Sequence, residues 1–286
     1  MSRFVRIPRL TGVRRWLGKQ LSAYLTRPVH AHGTSAPTDP VKLMACLQPG
    51  DVLLVEGRTR VGVAIKYLTQ STWSHAALYA GPHLGSTDGQ GRPHCFIEAN
   101  LQEGVRAVGI EEFAGFHCRI CRPVGLSVDE IRAVIGFARD RLGYQYDLKN
   151  VTDLARYLLP TPPVPVRFRR RLLALGSGDP TRAICSTLIA HAFQAVRYPI
   201  LPEILSVPSQ DPLCRGCIEE ILNVRHHSLF VPRDFDVSPY FEIVKPTLAG
   251  GFDPHLLRWG EPDADSARRA LDSELPALDN AARAAS

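Results

Sequence analysis

The sequence predicts an α+β protein in which an antiparallel sheet packs against a few helices. Three observations carry this. Short apolar or alternating runs, bounded by turn residues, recur at 52–56, 73–80, 95–99, 104–108 and 116–123. Ser127-Val128-Asp129-Glu130 is a capping box ahead of an amphipathic pattern (Ile131, Val134, Ile135, Ala138, Leu142) that Gly143 closes. A second helix-like run, Ile184 to Phe193, follows a loop rich in glycine and proline (Gly176 to Thr181). At 286 residues the chain supports one good core with appendages.

In order along the chain, the first element is an arm. Leu10, Val13, Trp16, Leu17, Leu21, Tyr24 and Leu25 recur at helical spacing between Pro8 and Pro28, with Arg14, Arg15 and Lys19 on the other side. Such a basic amphipathic helix fits an anionic membrane surface, or lays its apolar stripe on its own domain. A linker follows, His30 to Pro40. The globular part, 41–250, opens with the turn 47–51 and the buried strand 52–56. Val61 to Thr69 reads as a short helix, and the four further strands follow. A connecting segment starts at Tyr144, and a Pro-rich basic loop runs from Pro160 to Arg171. After the second helix come a possible helix from Cys217 to Leu222 and a last strand, Tyr240 to Val244. Residues 251–286 turn Ala-, Asp- and Arg-rich and read as a loosely held tail.

The net charge is +6, yet residues 1–30 hold seven cations (Arg3, Arg6, Arg9, Arg14, Arg15, Lys19, Arg27) and no Asp or Glu. The body is therefore slightly acidic, which argues against nucleic acid as its partner. No apolar run reaches the roughly 20 residues of a membrane span, and no apolar h-region follows the basic start. Seven cysteines, an odd number, point to a reducing compartment. These features predict a cytoplasmic protein, peripheral on the inner membrane face if the arm binds lipid.

Chemistry enters at Cys185. A thiol in the first turn of a helix faces unpaired N–H groups and the positive end of the dipole, which favours the nucleophilic thiolate. A cysteine nucleophile needs a base, and the base needs a polar group to orient it. His75 lies in an apolar strand. Glu98, one strand on, is an ionised carboxylate among Phe96, Ile97 and Ala99, costly there without a partner. If the two strands pair, Glu98 reaches one imidazole nitrogen while the other faces Cys185.

These parts stand in a familiar order. Gln48-Pro49-Gly50-Asp51-Val52, Ser74-His75-Ala76-Ala77-Leu78-Tyr79, Ile97-Glu98-Ala99, Gly143 with Tyr146-Asp147, and Ile184-Cys185-Ser186-Thr187-Leu188-Ile189 resemble the circularly permuted NlpC branch of the papain-like cysteine hydrolases. More narrowly, they resemble the YiiX/YaeF-type group related to lecithin:retinol acyltransferase. The resemblance spans about residues 45–245. It implies a permuted papain-like fold, an antiparallel sheet or barrel packed against helices, with the nucleophilic cysteine at a helix N-terminus. It implies Cys185 as nucleophile, His75 as base, Glu98 as orienting residue and Tyr146 beside the oxyanion site. Ser74 and Ser186 flank these positions and are expected at the substrate. No cofactor or metal is implied. The expected substrate is a small peptide or other amide, or a lipid acyl ester, cleaved or transferred through a thioester. Thr187 and Leu188 depart from the Gly-Leu usual in unpermuted relatives, which loosens inference from their substrates.

Two other readings compete. A non-enzymatic scaffold at a membrane surface would keep the fold without the chemistry. Cys118/Cys121 and Cys214/Cys217 invite a zinc-stabilised binding protein, although residues three apart in a strand point to opposite faces, which opposes chelation by the first pair.

Overall fold

A computed structural model describes residues 24, 26–27, 36–82, 84–100, 103–144, 184–208, 214 and 217–256. The helix read over residues 10–25 (apart from Tyr24), the 160–171 loop, Tyr146 and the chain beyond 256 lie outside them. The chain divides into two units, Met1–Gly250 and Gly251–Ser286. In the second, the described part carries a 3₁₀ turn, Pro254–Leu256.

The first unit is organised by a six-stranded antiparallel sheet. Its strands are β1 (Val52–Val55), β2 (His75–Tyr79), β3 (Phe96–Asn100), β4 (Gly104–Val108), β5 (Cys118–Pro123) and β8 (Phe241–Val244), in the order β4-β3-β2-β1-β5-β8. Among the described residues β4 and β8 form its two edges, so the sheet is open there. Strand β1 is apolar at every position because both its faces are covered. Val52 and Leu54 join Ala76, Leu78 and Ile97 under helices α3 (Val128–Arg139) and α4 (Ile184–Ala195), through Val134, Ala138, Ile189 and Phe193. Leu53 and Val55 join Tyr79, Phe96 and Ile120 on the other face, closed by Leu43 of α1 (Pro40–Cys46) and by Phe113. Each large side chain buried this way contributes about 1.5–3 kcal/mol.

The turn before β1 sets the register that the site depends on. Gly50 has φ +94°, and a Cβ there would stand 2.6 Å from Ile131 Cδ1, so glycine alone fits. Gly50 N–H donates to Tyr79 O and Tyr79 N–H to Asp51 O, both at 2.8 Å. Asp51, buried, accepts from Arg122 Nε at 2.9 Å and Nη2 at 2.7 Å. This end of the antiparallel β1–β2 pair is thereby locked, and the other end pairs Val55 with His75.

Helix α3 carries both arms of its capping box, Glu130 N–H to Ser127 Oγ and Ser127 N–H to Glu130 Oε2. It stops at Arg139, short of Gly143. Arg141 and Leu142 donate to Ala138 and Arg139 carbonyls three residues back, the tighter pattern of a closing turn. The helix expected from Cys217 to Leu222 is instead a strand, β7 (Ile218–Asn223), paired with β6 (Glu203–Pro208) in a separate hairpin. The spacing of Ile218, Ile221 and Leu222 is the helical one, and the strand sends Ile221 to the face opposite the other two. Six residues are too few to sustain a lone helix, whereas the ladder places Leu222 opposite Ile204 and Ile221 opposite Leu205. Two short helices, α2 (Arg60–Thr69) and α5 (Pro232–Asp236), complete the parts used below.

Cys118 and Cys121 do lie in a strand, one in each of the two cores, so they cannot chelate one ion together. Cys214 and Cys217 are bonded to each other. At the N-terminal side, the Arg60 guanidinium lies 4.2 Å over the Tyr24 ring and Arg60 N–H donates to Arg27 O. Among the described residues no helix is long and apolar enough to cross a membrane.

Candidate active site

His75 opens β2, and Glu98 lies in the middle of β3. The antiparallel register places Glu98 opposite Ala77, and alternation puts His75, two residues from Ala77, on the same face. The two side chains meet across that diagonal, with His75 Nε2 2.6 Å from Glu98 Oε2. A carboxylate accepts, so Nε2 carries the proton and Nδ1 is left for another partner.

Cys185, the second residue of α4, acts on the same ring. Its Sγ lies 3.9 Å from the Ser186 hydroxyl, and hydrogen bonding from the His75 ring and the Ala76 N–H favours its thiolate. Cys185 is 4% exposed. Burial works against its thiolate, but the His75 charge and these hydrogen bonds outweigh burial and hold its pKa below the ordinary thiol value. Burial likewise disfavours a charged His75. The adjoining thiolate and the Glu98 carboxylate overcome this and raise its pKa well above the usual imidazole range. The two shifts describe one event, a proton passing from sulfur to ring. Other buried thiols behave oppositely: with no such partner, burial pushes Cys95 up to about 11 and Cys118 to about 12.

Glu98 is 3% exposed. Burial alone would raise its pKa, but His75 and Arg106 bring it down to about 2. Arg106 stands directly opposite Glu98 on β4 and donates to Oε1 from Nε at 2.8 Å, with Nη2 in ion-pair contact at 2.7 Å. The sequence predicts a strand at 104–108 without assigning its one charged residue a role. The signal was present: a cation in an apolar strand, one tight turn after a strand holding a lone carboxylate.

The expected residues fare differently. Cys185, His75 and Glu98 lie together. Ser74 is buried and its Oγ accepts from Gly57 N–H at 2.9 Å; a Cβ on Gly57 would stand 2.7 Å from that oxygen. Ser186 is fully buried beside the thiol. Neither hydroxyl faces solvent. Tyr146 lies outside the described residues. A cleft of about 780 Å³ opens at the end of the sheet where β2 begins, lined by Lys66, Trp73, His117, Arg119, Arg233 and Asp236 among others. Trp73 stacks on His117 at 5.3 Å, under the Arg119 guanidinium, and its indole N–H donates to Asp236. Among the described residues no group of His, Cys, Asp or Glu side chains is arranged to hold a metal ion.

Residues 46–157 match the model of a family described as permuted papain-like amidase enzyme, YaeF/YiiX, C92 family. This is the group that the sequence motifs resemble, and its description is of an amidase-type enzyme on a permuted papain-like fold. The mixed α/β architecture, an antiparallel sheet with helices, is consistent with it. The matched segment contains His75, Glu98 and Tyr146 and ends before Cys185. No curated protein matches the chain.

Proposed function

We propose that this protein is a cysteine amidase acting through a thioester on Cys185, with His75 as proton carrier and Glu98 holding the ring. The single observation that carries the reading is the ring of His75 held at Nε2 by a buried, ionised carboxylate 2.6 Å away, together with a buried thiol whose pKa that ring lowers. The other buried cysteines provide the contrast.

The chemistry follows from the resting charges. The Cys185 thiolate attacks an amide carbonyl carbon; the C–S bond forms and the π electrons move to oxygen. In this reading the Cys185 backbone N–H, in the first turn of the helix, and the Tyr146 phenol donate to that oxyanion. The tetrahedral centre collapses, the C–N bond breaks, and the His75 imidazolium gives its proton to the departing amine. Water then attacks the thioester while His75 takes its proton, the C–S bond breaks, and a carboxylic acid leaves. Throughout, Glu98 keeps the ring oriented and supports its positive charge.

Transfer to an amine or alcohol in place of water uses the same intermediate, and product analysis separates the two. The catalytic domain is assigned to 41–250, and the basic arm to an anionic membrane surface.

The test is mass spectrometry of the intact protein after exposure to amide and peptide mixtures. An acyl mass increment on Cys185, absent in Cys185→Ala and His75→Ala, is the expected result. Turnover retained in either variant would reject the mechanism. Uniform, sluggish labelling of every cysteine by a thiol reagent would favour a scaffold.

A further inference from the structure

Glu98 divides its two oxygens. Oε2 faces His75 Nε2 at 2.6 Å, and Oε1 accepts from Arg106 Nε at 2.8 Å, with the neighbouring Nη2 of the same guanidinium 2.7 Å away in ion-pair contact. The fork is fixed in turn. Arg106 Nη1 donates to Glu103 at 3.0 Å and Nη2 to Glu112 at 2.5 Å, so acidic groups from β4's own hairpin turn and from the following 3₁₀ turn hold it in place. A cross-strand ion pair formed only for stability needs no such division. Here the guanidinium plane fixes how the carboxylate is rotated, and that rotation decides which oxygen meets the imidazole.

We infer that Arg106 is a positioning residue of the proposed amidase site, acting on the thiol through Glu98 and His75. The inference rests on the amidase reading above. Without the guanidinium, Oε1 of a nearly inaccessible carboxylate would have no partner. Glu98 would then rotate, or accept the proton from His75 across their short contact. Either change removes the fixed Nε2–H form of the ring and withdraws charge from behind the imidazolium, so the thiolate is lost. The charged groups facing this relay are His75 from β2, Arg106 from β4, Glu103 and Glu112 behind it, and the Cys185 thiolate from α4. Lysine keeps one positive charge but not the fork, so Arg106→Lys separates charge from orientation.

The experiment is the pH profile of Cys185 alkylation by iodoacetamide, read by mass spectrometry in the full chain. The set is the parent, Arg106→Lys, Arg106→Met, Glu98→Gln and the double variant Glu98→Gln/Arg106→Met. Circular dichroism scores folding. In the parent, Cys185 labels selectively near neutral pH. In folded Arg106→Met the acid limb moves up by about one pH unit, so labelling at pH 6 falls by up to about tenfold. Arg106→Lys falls between parent and Met. The double variant reproduces Glu98→Gln alone, because Arg106 then has nothing left to orient. Folded Lys and Met variants with the parent's profile would overturn the inference, as would a further loss on adding Arg106→Met to Glu98→Gln. Folding only with arginine at 106 would reduce the residue to a structural pair. A parent without selective labelling at Cys185 would instead bring down the amidase reading itself.

Discussion

Replacing His75 by glutamine should return Cys185 to the behaviour of an ordinary buried thiol. Glutamine keeps most of the volume, so water is not admitted to resolvate the sulfur, but it carries no charge. Cys95 and Cys118 show what burial does to a thiol without an imidazole, raising it to about 11 and about 12. At pH 7 such thiols are ionised to about 1 part in 10⁴–10⁵, whereas a thiol below the ordinary 9.0 is ionised to more than about 1 part in 100. The thiolate population thus falls at least about 100-fold. A more basic thiolate is more nucleophilic, which returns about tenfold over two pKa units. The net expectation is a loss of about tenfold or more in Cys185 alkylation at pH 7, with the rate still rising above pH 9. Iodoacetamide labelling followed by peptide mass spectrometry measures it, with Cys95 as internal standard. A variant that keeps the parent's pH profile would refute the assignment of the sulfur's proton to residue 75.

Four further outcomes are measurable, the first two resting on the geometry of the site and the last two on the sequence. Glu98 titrates at about 2 in the folded chain against an ordinary 4.5, so its contribution to stability is present above pH 4.5 and is lost as pH falls toward 2. The full contribution is about 3 kcal/mol, and urea titrations should show a flatter acid limb in Glu98→Gln; parallel curves for the two proteins would deny the depressed carboxyl. His75, shifted the other way, adds stability below about pH 6.5 that disappears as pH rises through its folded value. Tyr146→Phe should cost about 10²–10³ in turnover if the phenol donates to the oxyanion, and full activity would remove it from the site. A chain lacking residues 1–30 should no longer sediment with anionic liposomes; unchanged sedimentation would reject the arm as an anchor.

Much of this was legible in the residues because local chemistry announced it. The Ser127/Glu130 box, the apolar run of β1 and the alternation at 118–123 each carry their own explanation, and the structure repeats them. The approach of His75, Glu98 and Cys185 was also within reach, since a lone carboxylate in an apolar strand demands a partner. What escaped was whatever depended on pairing. Arg106 is unremarkable within its own five residues and becomes informative only opposite Glu98. The segment 218–223 has a helical apolar spacing, and its pairing with 203–208 overrides it. Ser74 and Ser186 were placed near the chemistry by proximity in sequence, but their hydroxyls are committed to Gly57 and to the thiol's buried surroundings.

The close fit of Ser74 against Gly57 extends the sensitive zone to a residue that carries no functional group. A methyl at 57 would press on the serine oxygen and take away the N–H geometry it accepts, and the displaced backbone is the one that carries the imidazole. In a library scored for folded but inactive chains, substitutions at this bare glycine should therefore recur beside those at the reacting groups, as silent losses that no inventory of side-chain chemistry would anticipate.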